Sequence, residues 1–369
     1  MKVTGMSSRF VRVVLLPAGV FQSVIFGGAY GTGREIAQFI SSRGPVGGLL
    51  AVAVAALGFA VVMALSFELA RLTRNYDYRG FLKTLVGPGW IAFEILFLLS
   101  LLIVLAVNGS AAASVLNDQF GIPSLVGVGL LFAAVVALNY FGRTLLQESM
   151  SICMIALTIV LTIFCAMTFI DDHESIRLAF REAPSTGNWF ASGGQWMLYS
   201  AAVIPVLLYS ARDLHTRGEC FASALASGIA GAFPALVFHL TFMAAYPESL
   251  QQTLPTYWMI GELQHPWLMV LYIIVLFAMI IQTCAGLLQG VNERLDAWQL
   301  ERRGRKCDPR THAIVGGATL ATSMVLASFG IAALVAQGYG NMAWGYLVIY
   351  MIPLVTVGAF KIWRKRGQA

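Results

Sequence analysis

Charged side chains are scarce: Asp, Glu, Lys and Arg make up 11% of the 369 residues, against roughly a quarter in a soluble domain. So few charges leave the surface of a soluble enzyme uncovered, and they exclude a disordered chain or a coiled coil as well. Cysteine is scarce too, and the five present include no Cys-x-x-Cys pair. Cys153, Cys165 and Cys284 lie inside apolar runs, Cys220 near the start of another and Cys307 in a basic loop. Neither a disulfide framework nor a metal site is expected. There is no His-Glu-x-x-His, no pair of intramembrane aspartates and no bis-His set, since His173, His215, His265 and His312 fall in loops or at the ends of runs. A membrane enzyme is therefore not expected.

What fills the sequence instead is apolar: 58% of residues are hydrophobic. A bilayer core takes about 20 apolar residues per helix. Suitable stretches run from Val13 to Ile40, Val46 to Leu72, Trp90 to Leu116, Leu125 to Tyr140, Met150 to Ile170, Gly194 to Ser210, Cys220 to Ala245, Trp267 to Val291, Ala313 to Val335 and Met342 to Ile362. These predict an all-α integral membrane protein with ten transmembrane helices, residues 1–369 forming one transmembrane domain. Lys2, Arg9 and Arg12 ahead of the first run imitate a signal peptide, but no small-residue cleavage pattern follows, so that run is expected to be retained.

The net charge of +6 forms no basic face of the kind nucleic acid requires, and no nucleic-acid partner is expected. The basic residues sort by loop. Arg71, Arg74, Arg79 and Lys83 follow span two, Arg143 span four, Arg212 and Arg217 span six, and Arg294, Arg302, Arg303, Arg305, Lys306 and Arg310 span eight. Lys361, Arg364, Lys365 and Arg366 close the chain, and with ten spans all of these share the side of the N-terminus. The positive-inside rule then puts both termini in the cytoplasm of a cell whose plasma or inner membrane holds the chain.

Ten spans divide into five and five, and an odd number per repeat forces the halves into opposite orientations. Inverted repeats are predicted over approximately residues 13–170 and 190–362. Span one is interrupted by Gly27-Gly28-Ala29-Tyr30-Gly31-Thr32-Gly33, and span six by Pro205 between Tyr199-Ser200 and Tyr209-Ser210. Short amphipathic segments, Asn75 to Val86 and Pro247 to Leu263, follow the second span of each half. Broken first helices in both halves point to a solute site at the bilayer midplane.

Four glycines in seven residues weaken a helix by about 1 kcal/mol each relative to alanine. Unwound backbone is tolerated in a membrane only where protein or a watery cavity supplies partners. A Gly-x-x-x-Gly packing face, Gly27 to Gly31, is the plainer alternative, but Tyr30 and Thr32 interleave the glycines and Arg34 and Glu35 follow. A leucine at Gly31 is expected to fill the unwound site. Charges inside a span mark function by default, and Arg34 and Glu35, divergent by about 100° on a helix, need separate partners. Glu35 is a candidate proton carrier, and the lone His239 of span seven a hydrogen-bonded core residue. Glu68 and Glu94, near span ends, are expected to snorkel.

The stretch Gly27-Gly-Ala-Tyr-Gly-Thr-Gly-Arg-Glu-Ile-Ala-Gln-Phe39 resembles the signature of the YkvI-like bacterial membrane proteins of the amino acid-polyamine-organocation (APC) superfamily. The resemblance implies the LeuT fold over nearly the whole chain. It implies a substrate site formed where the breaks meet, from Gly28, Ala29, Tyr30, Gly31, Thr32, Gly33 and Glu35 of span one and Tyr199, Ser200, Pro205 and Tyr209 of span six. Asn108 of span three and Gln282 of span eight are the polar residues at suitable depth to complete it. In similar sodium-coupled transporters a cation lies between span one carbonyls and span eight hydroxyls, which implies Gly27, Gly28 and Thr283 here. Span five lacks a basic residue and span ten an acid, so two coupling and gating devices of similar transporters are not expected. The reading is a secondary active transporter of a small polar metabolite, an amino acid or amine, coupled to Na+ or H+ and needing no cofactor. The alternative is a solute sensor on a transporter scaffold.

Overall fold

Inside a bilayer every backbone N–H and C=O must find its partner within the protein. The chain meets this with helices alone: no strand occurs among the described residues. The computed structural model describes residues 9–27, 30–141, 143–184, 187–305 and 307–366, without the side chains of 137–154, 297, 301, 302, 309, 313 and 366.

The first apolar run forms α1 (Val11–Ile25), stops, and resumes as α2 (Arg34–Phe39). Next come α3 (Pro45–Thr73), the surface helix α4 (Tyr78–Val86), α5 (Trp90–Phe120), α6 (Ser124–Phe141) and α7 (Arg143–Asp171). The short α8 (His173–Glu182) leads to α9 (Trp189–Ala201) and α10 (Ile204–Leu207). Then follow α11 (Arg217–Phe242), the short α12 (Glu248–Gln251) and α13 (Pro255–Glu262). The chain closes with α14 (Pro266–Arg303), α15 (Pro309–Ala327) and α16 (Ile331–Lys365).

Among the described residues five helices are long and apolar enough to cross a membrane, and seven if each of two bent pairs counts as one. The pairs are Ile155–Asp171 with α8, bent by 75°, and α9 with Ile204–Ala211, bent by 42°. The charged stretch after span five forms the helix α8. Two details differ from the sequence reading. Span nine ends at Ala327 and span ten begins at Ile331, with Gly330, at a φ of 82° that suits glycine, as the residue that opens the second helix. The break in span six lies at Ala202 and Val203, and Pro205 sits in the first turn of α10, where its missing N–H costs nothing.

Two groups of helices emerge. In one, α3 packs along α11 and α9, with α1 against α11. In the other, α5 packs on α6 and α15, and α14 on α5, α6 and α7. The last helix, α16, touches α9 of the first group and α5 of the second. Close approach in the first group depends on absent side chains: a Cβ at Gly193 would stand 2.3 Å from the Ala51 carbonyl oxygen, and one at Gly228 2.6 Å from that of Ala56.

The N-terminus, the connections after spans two and six and the C-terminus touch one another. Arg9 donates to Glu219 at 2.5 Å, Arg71 to the His215 carbonyl at 3.2 Å, and Lys365 to the Leu72 carbonyl at 2.8 Å. Glu68 and Glu94 do not reach for solvent; both are paired within the protein. Arg71 holds Glu68 with two bonds of 2.9 and 3.0 Å. Arg294 reaches Glu94 at 3.0 Å, and the Tyr78 hydroxyl bonds Glu94 as well. His239 is a buried, hydrogen-bonded core residue, 3.0 Å from Ser41 Oγ and 2.8 Å from the Pro45 carbonyl.

Neighbouring glycines on α9 give a test of this packing. Gly193 faces α3, while a Cβ at Gly194 meets nothing within 4 Å. Gly193→Ala is expected to lower the thermal midpoint of the purified protein by an overpacking cost of about 1–3 kcal/mol, and Gly194→Ala to leave it unchanged or raise it slightly. Equal effects of the two would contradict the packing.

Candidate functional site

The break in span one is held open by neighbouring helices. After Ile25 the chain makes a single tight turn at Tyr30–Thr32, and Gly33, with a φ of 75°, starts α2. That left-handed backbone suits glycine, and a Cβ there would stand 2.3 Å from the Phe242 ring. Freed polar groups find partners: the Tyr272 hydroxyl of α14 donates to the Gly31 carbonyl at 3.1 Å. Ser192 of α9 donates to the Phe39 carbonyl at 2.7 Å. Arg34 turns away from the break and clamps the segment around α12, donating to the carbonyls of Leu250 (3.3 Å) and Gln252 (3.0 Å) and to the Gln38 side chain (2.9 Å).

Where the two breaks face each other lies a cavity of about 150 Å³. Gly27, Tyr30 and Glu35 line it from span one, and Trp196, Tyr199, Ser200, Ala202 and Val203 from span six. Phe97, Ser100 and Asn108 enter from α5, Thr283 and Leu287 from α14, and Tyr339 and Tyr346 from α16. Both helix groups therefore contribute, with α16 between them.

The polar chemistry is concentrated and unfinished. Tyr30 Oη, Asn108 Oδ1, Trp196 Nε1 and Tyr339 Oη are buried without a regular hydrogen-bond partner. Unsatisfied buried polar atoms are rare in a folded protein and each costs about 1–3 kcal/mol. All four belong to residues lining this one cavity. Asn108 gives its amide N–H to the Val104 carbonyl at 2.8 Å, which leaves the oxygen over. Glu35 is 6% exposed. The Trp196 indole lies within electrostatic reach of its carboxylate without closing a regular bond. The Tyr199 and Tyr339 rings stack at 4.1 Å, joining span six to α16. Tyr346 Oη is satisfied by Ser100 Oγ at 2.7 Å.

The sequence-predicted site residues divide. Gly27, Tyr30, Glu35, Asn108, Tyr199, Ser200 and Thr283 meet in the lining, and Gly27 faces Thr283 closely enough that a Cβ would lie 3.7 Å from its Oγ1. Gly28 and Ala29 lie outside the described residues. Gly31, Thr32 and Gly33 are placed elsewhere, in the tight turn and at its exit; a Cβ at Gly31 would meet Leu157 and Leu276 at 3.4–3.5 Å. A leucine there would strike helix packing rather than fill the cavity. Gln282, one residue before Thr283, is buried off the lining. Pro205 is buried in α10, and Tyr209 is half exposed on the surface because the turn after α10 carries it outward.

Trp196, Tyr339, Tyr346 and Phe97 were not singled out by the sequence reading. One signal was available for two of them: Tyr339, Tyr346 and Tyr350 recur at helical spacing in an apolar run, and hydroxyls there need partners. Away from the cavity, Asp296, Cys307 and His312 bring ligand atoms within 4.8 Å of one another, where no metal site was expected. His312 Nε2 lies 2.8 Å from Asp296 Oδ1 and the Cys307 N–H donates to the same oxygen at 3.0 Å, so hydrogen bonds account for the cluster.

No protein-family model matches the chain, and no curated protein sequence matches it. Its structure is similar to that of a Na+-coupled sialic acid symporter in a substrate-bound outward-open state, with a TM-score of 0.51. The match covers 95% of this chain and 85% of that one, at 10% sequence identity. At that identity the likeness shows the fold: a multi-pass, all-helical membrane protein with the LeuT-like architecture of a Na+-coupled symporter.

Proposed function

We propose that the chain is a secondary active transporter of a small polar metabolite, an amino acid or amine, working by alternating access with Na+ or H+ as co-substrate. The observation that carries this reading is the cavity between the two broken helices, where four buried polar atoms lack partners and one carboxylate has no basic neighbour in the lining. A solute completes such a site, and four of the nine buried side-chain atoms without a partner among the described residues gather in this one lining. A symporter-like fold supports the same class and speaks against an enzyme.

The full arrangement we infer is ten spans in two inverted repeats, with α1 and α2 as one broken span and α9 and α10 as its counterpart. The surface helix α4 and the pair α12 and α13 follow the second span of each half, as an internal duplication requires. Both termini lie in the cytoplasm on this reading, supported by the contacts that join the N-terminus, the basic connections after spans two and six and the C-terminus. The motif from Gly27 to Phe39 supports a place beside the YkvI-like proteins of the APC superfamily. Na+ would take oxygen ligands from the Gly27 region and Thr283, a hard-cation set. Glu35 is the group able to carry a proton in the same cavity.

Two measurements test these assignments. In proteoliposomes, labelled amino acids or amines are expected to accumulate only under an imposed Na+ or H+ gradient. Gly27→Val, which fills the space facing Thr283, and Thr283→Val are each expected to cut Na+-stimulated uptake at least tenfold while leaving membrane insertion intact. Binding without gradient-dependent uptake would replace the transporter by a solute sensor. A reporter fused after Ala369 is expected to read cytoplasmic, and an external reading would overturn the ten-span topology.

A further inference from the structure

The cavity lining is unbalanced in a way that bears on the solute. Glu35 is its one acid, and no Lys, Arg or His stands among the described lining residues. Arg34, its neighbour in sequence, is committed to the carbonyls of Leu250 and Gln252 and to Gln38. Asn108 gives one of its two amide N–H groups to Val104 and presents an unpartnered acceptor oxygen. The Trp196 N–H, a donor, falls within reach of Glu35 itself.

Beside Ser100, Ser200, Thr283 and aliphatic side chains, the wall carries six aromatic rings. Tyr30, Phe97, Trp196, Tyr199, Tyr339 and Tyr346 come from four different segments and converge on the same space. The faces of aromatic rings attract a cation, most strongly where water is excluded. A buried carboxylate needs an opposite charge or a proton, and the described lining supplies no cationic side chain. A solute carboxylate would bring a second negative charge beside Glu35 with no basic side chain to offset either. The cavity, about 150 Å³, is of the size that admits a ligand of about six non-hydrogen atoms.

Resting on the reading of this cavity as the solute site, we propose that it takes a small monocationic amine without a carboxylate. Its ammonium group pairs with Glu35, its apolar part lies against the aromatic wall, and the Asn108 oxygen is a second acceptor in the same space. This narrows the solute class from amino acids or amines to organic cations, and it makes Glu35 the counter-ion of the solute.

Three ligands that share a 3-methylbutyl group separate the possibilities: 3-methylbutylamine, its carboxylated form leucine, and the deaminated 4-methylpentanoate, with alanine, which matches the amine in size, as a control whose equal or tighter binding also overturns the proposal. Binding of each to the purified full-length chain is measured by calorimetry and thermal shift at millimolar concentration. The amine is expected to bind at least tenfold more tightly than leucine, and 4-methylpentanoate not to bind. Tighter binding of leucine or of the acid, or no binding of the amine, overturns the proposal. Glu35→Gln should weaken the amine at least tenfold and Glu35→Asp should recover part of the loss; unchanged affinity in Glu35→Gln also overturns it. The wild-type comparison stands even if a variant misfolds. Failure of the transporter reading looks different: the amine binds with the stated preference but no gradient drives its uptake into proteoliposomes. Gradient-driven uptake of leucine without amine binding would retain the transporter and discard the cationic solute.

Discussion

The backbone's demand for hydrogen-bond partners in a medium without water governs this structure. Continuous helices such as α3, α5 and α14 meet it internally, residue by residue. One interruption, between Ile25 and Arg34, does not, and much of the surrounding structure exists to make it tolerable. Tyr272 reaches from α14 to the Gly31 carbonyl, Ser192 from α9 to that of Phe39, and Arg34 ties the restarted helix to the segment around α12. The gap in span six at Ala202 and Val203 lies opposite, with Pro205 beginning the next turn without an N–H to satisfy. The cavity is what remains between two such interruptions after these partners are in place.

Charge follows the same economy. Glu68 has Arg71, Glu94 has Arg294 and Tyr78, and Arg34 has two carbonyls. The Arg294 and Arg34 pairings also tie segments that are distant in sequence, whereas Arg71 holds Glu68 from three residues along the same helix. Arg294 lies over the Phe97 ring at 4.8 Å, so the ion pair below the cavity touches a residue that lines it. Glu35 stands apart, buried in the cavity wall with an indole in reach and no cation beside it in the lining. The contrast between settled and unsettled charges is what separates structure from site in a chain where almost every polar group is conspicuous.

Much of the fold was legible because bilayer thickness and loop charge impose coarse rules that a sequence obeys visibly. The broken helices, the surface helices and the burial of His239 all carry local signals: glycine density, amphipathic pattern and a lone polar residue in an apolar run. Less of the cavity was legible. Glu35, Tyr30, Asn108 and Thr283 announced themselves as polar groups where lipid tolerates few. Trp196 and Phe97 did not, because an aromatic in an apolar run reads as core whichever way it points. Gln282 and Thr283 are adjacent and equally polar, yet only Thr283 lines the cavity, since neighbours on a helix point about 100° apart.

Composition, spacing and charge order by themselves determined a helical membrane protein whose first helix breaks at a glycine run followed by an acid. Tertiary structure decided which groups are satisfied. Arg34 looked as exceptional as Glu35 in sequence, and Glu68 and Glu94 read as span-end charges; Glu68 finds Arg71 along its own helix, while the packing of α4, α12 and α14 supplied partners to Glu94 and Arg34. The same packing left Asn108, Trp196, Tyr30 and Tyr339 without them around one space. Apart from the i,i+3 pair of Glu68 and Arg71, partnership here is a property of distance across helices far apart in sequence, which no local pattern encodes.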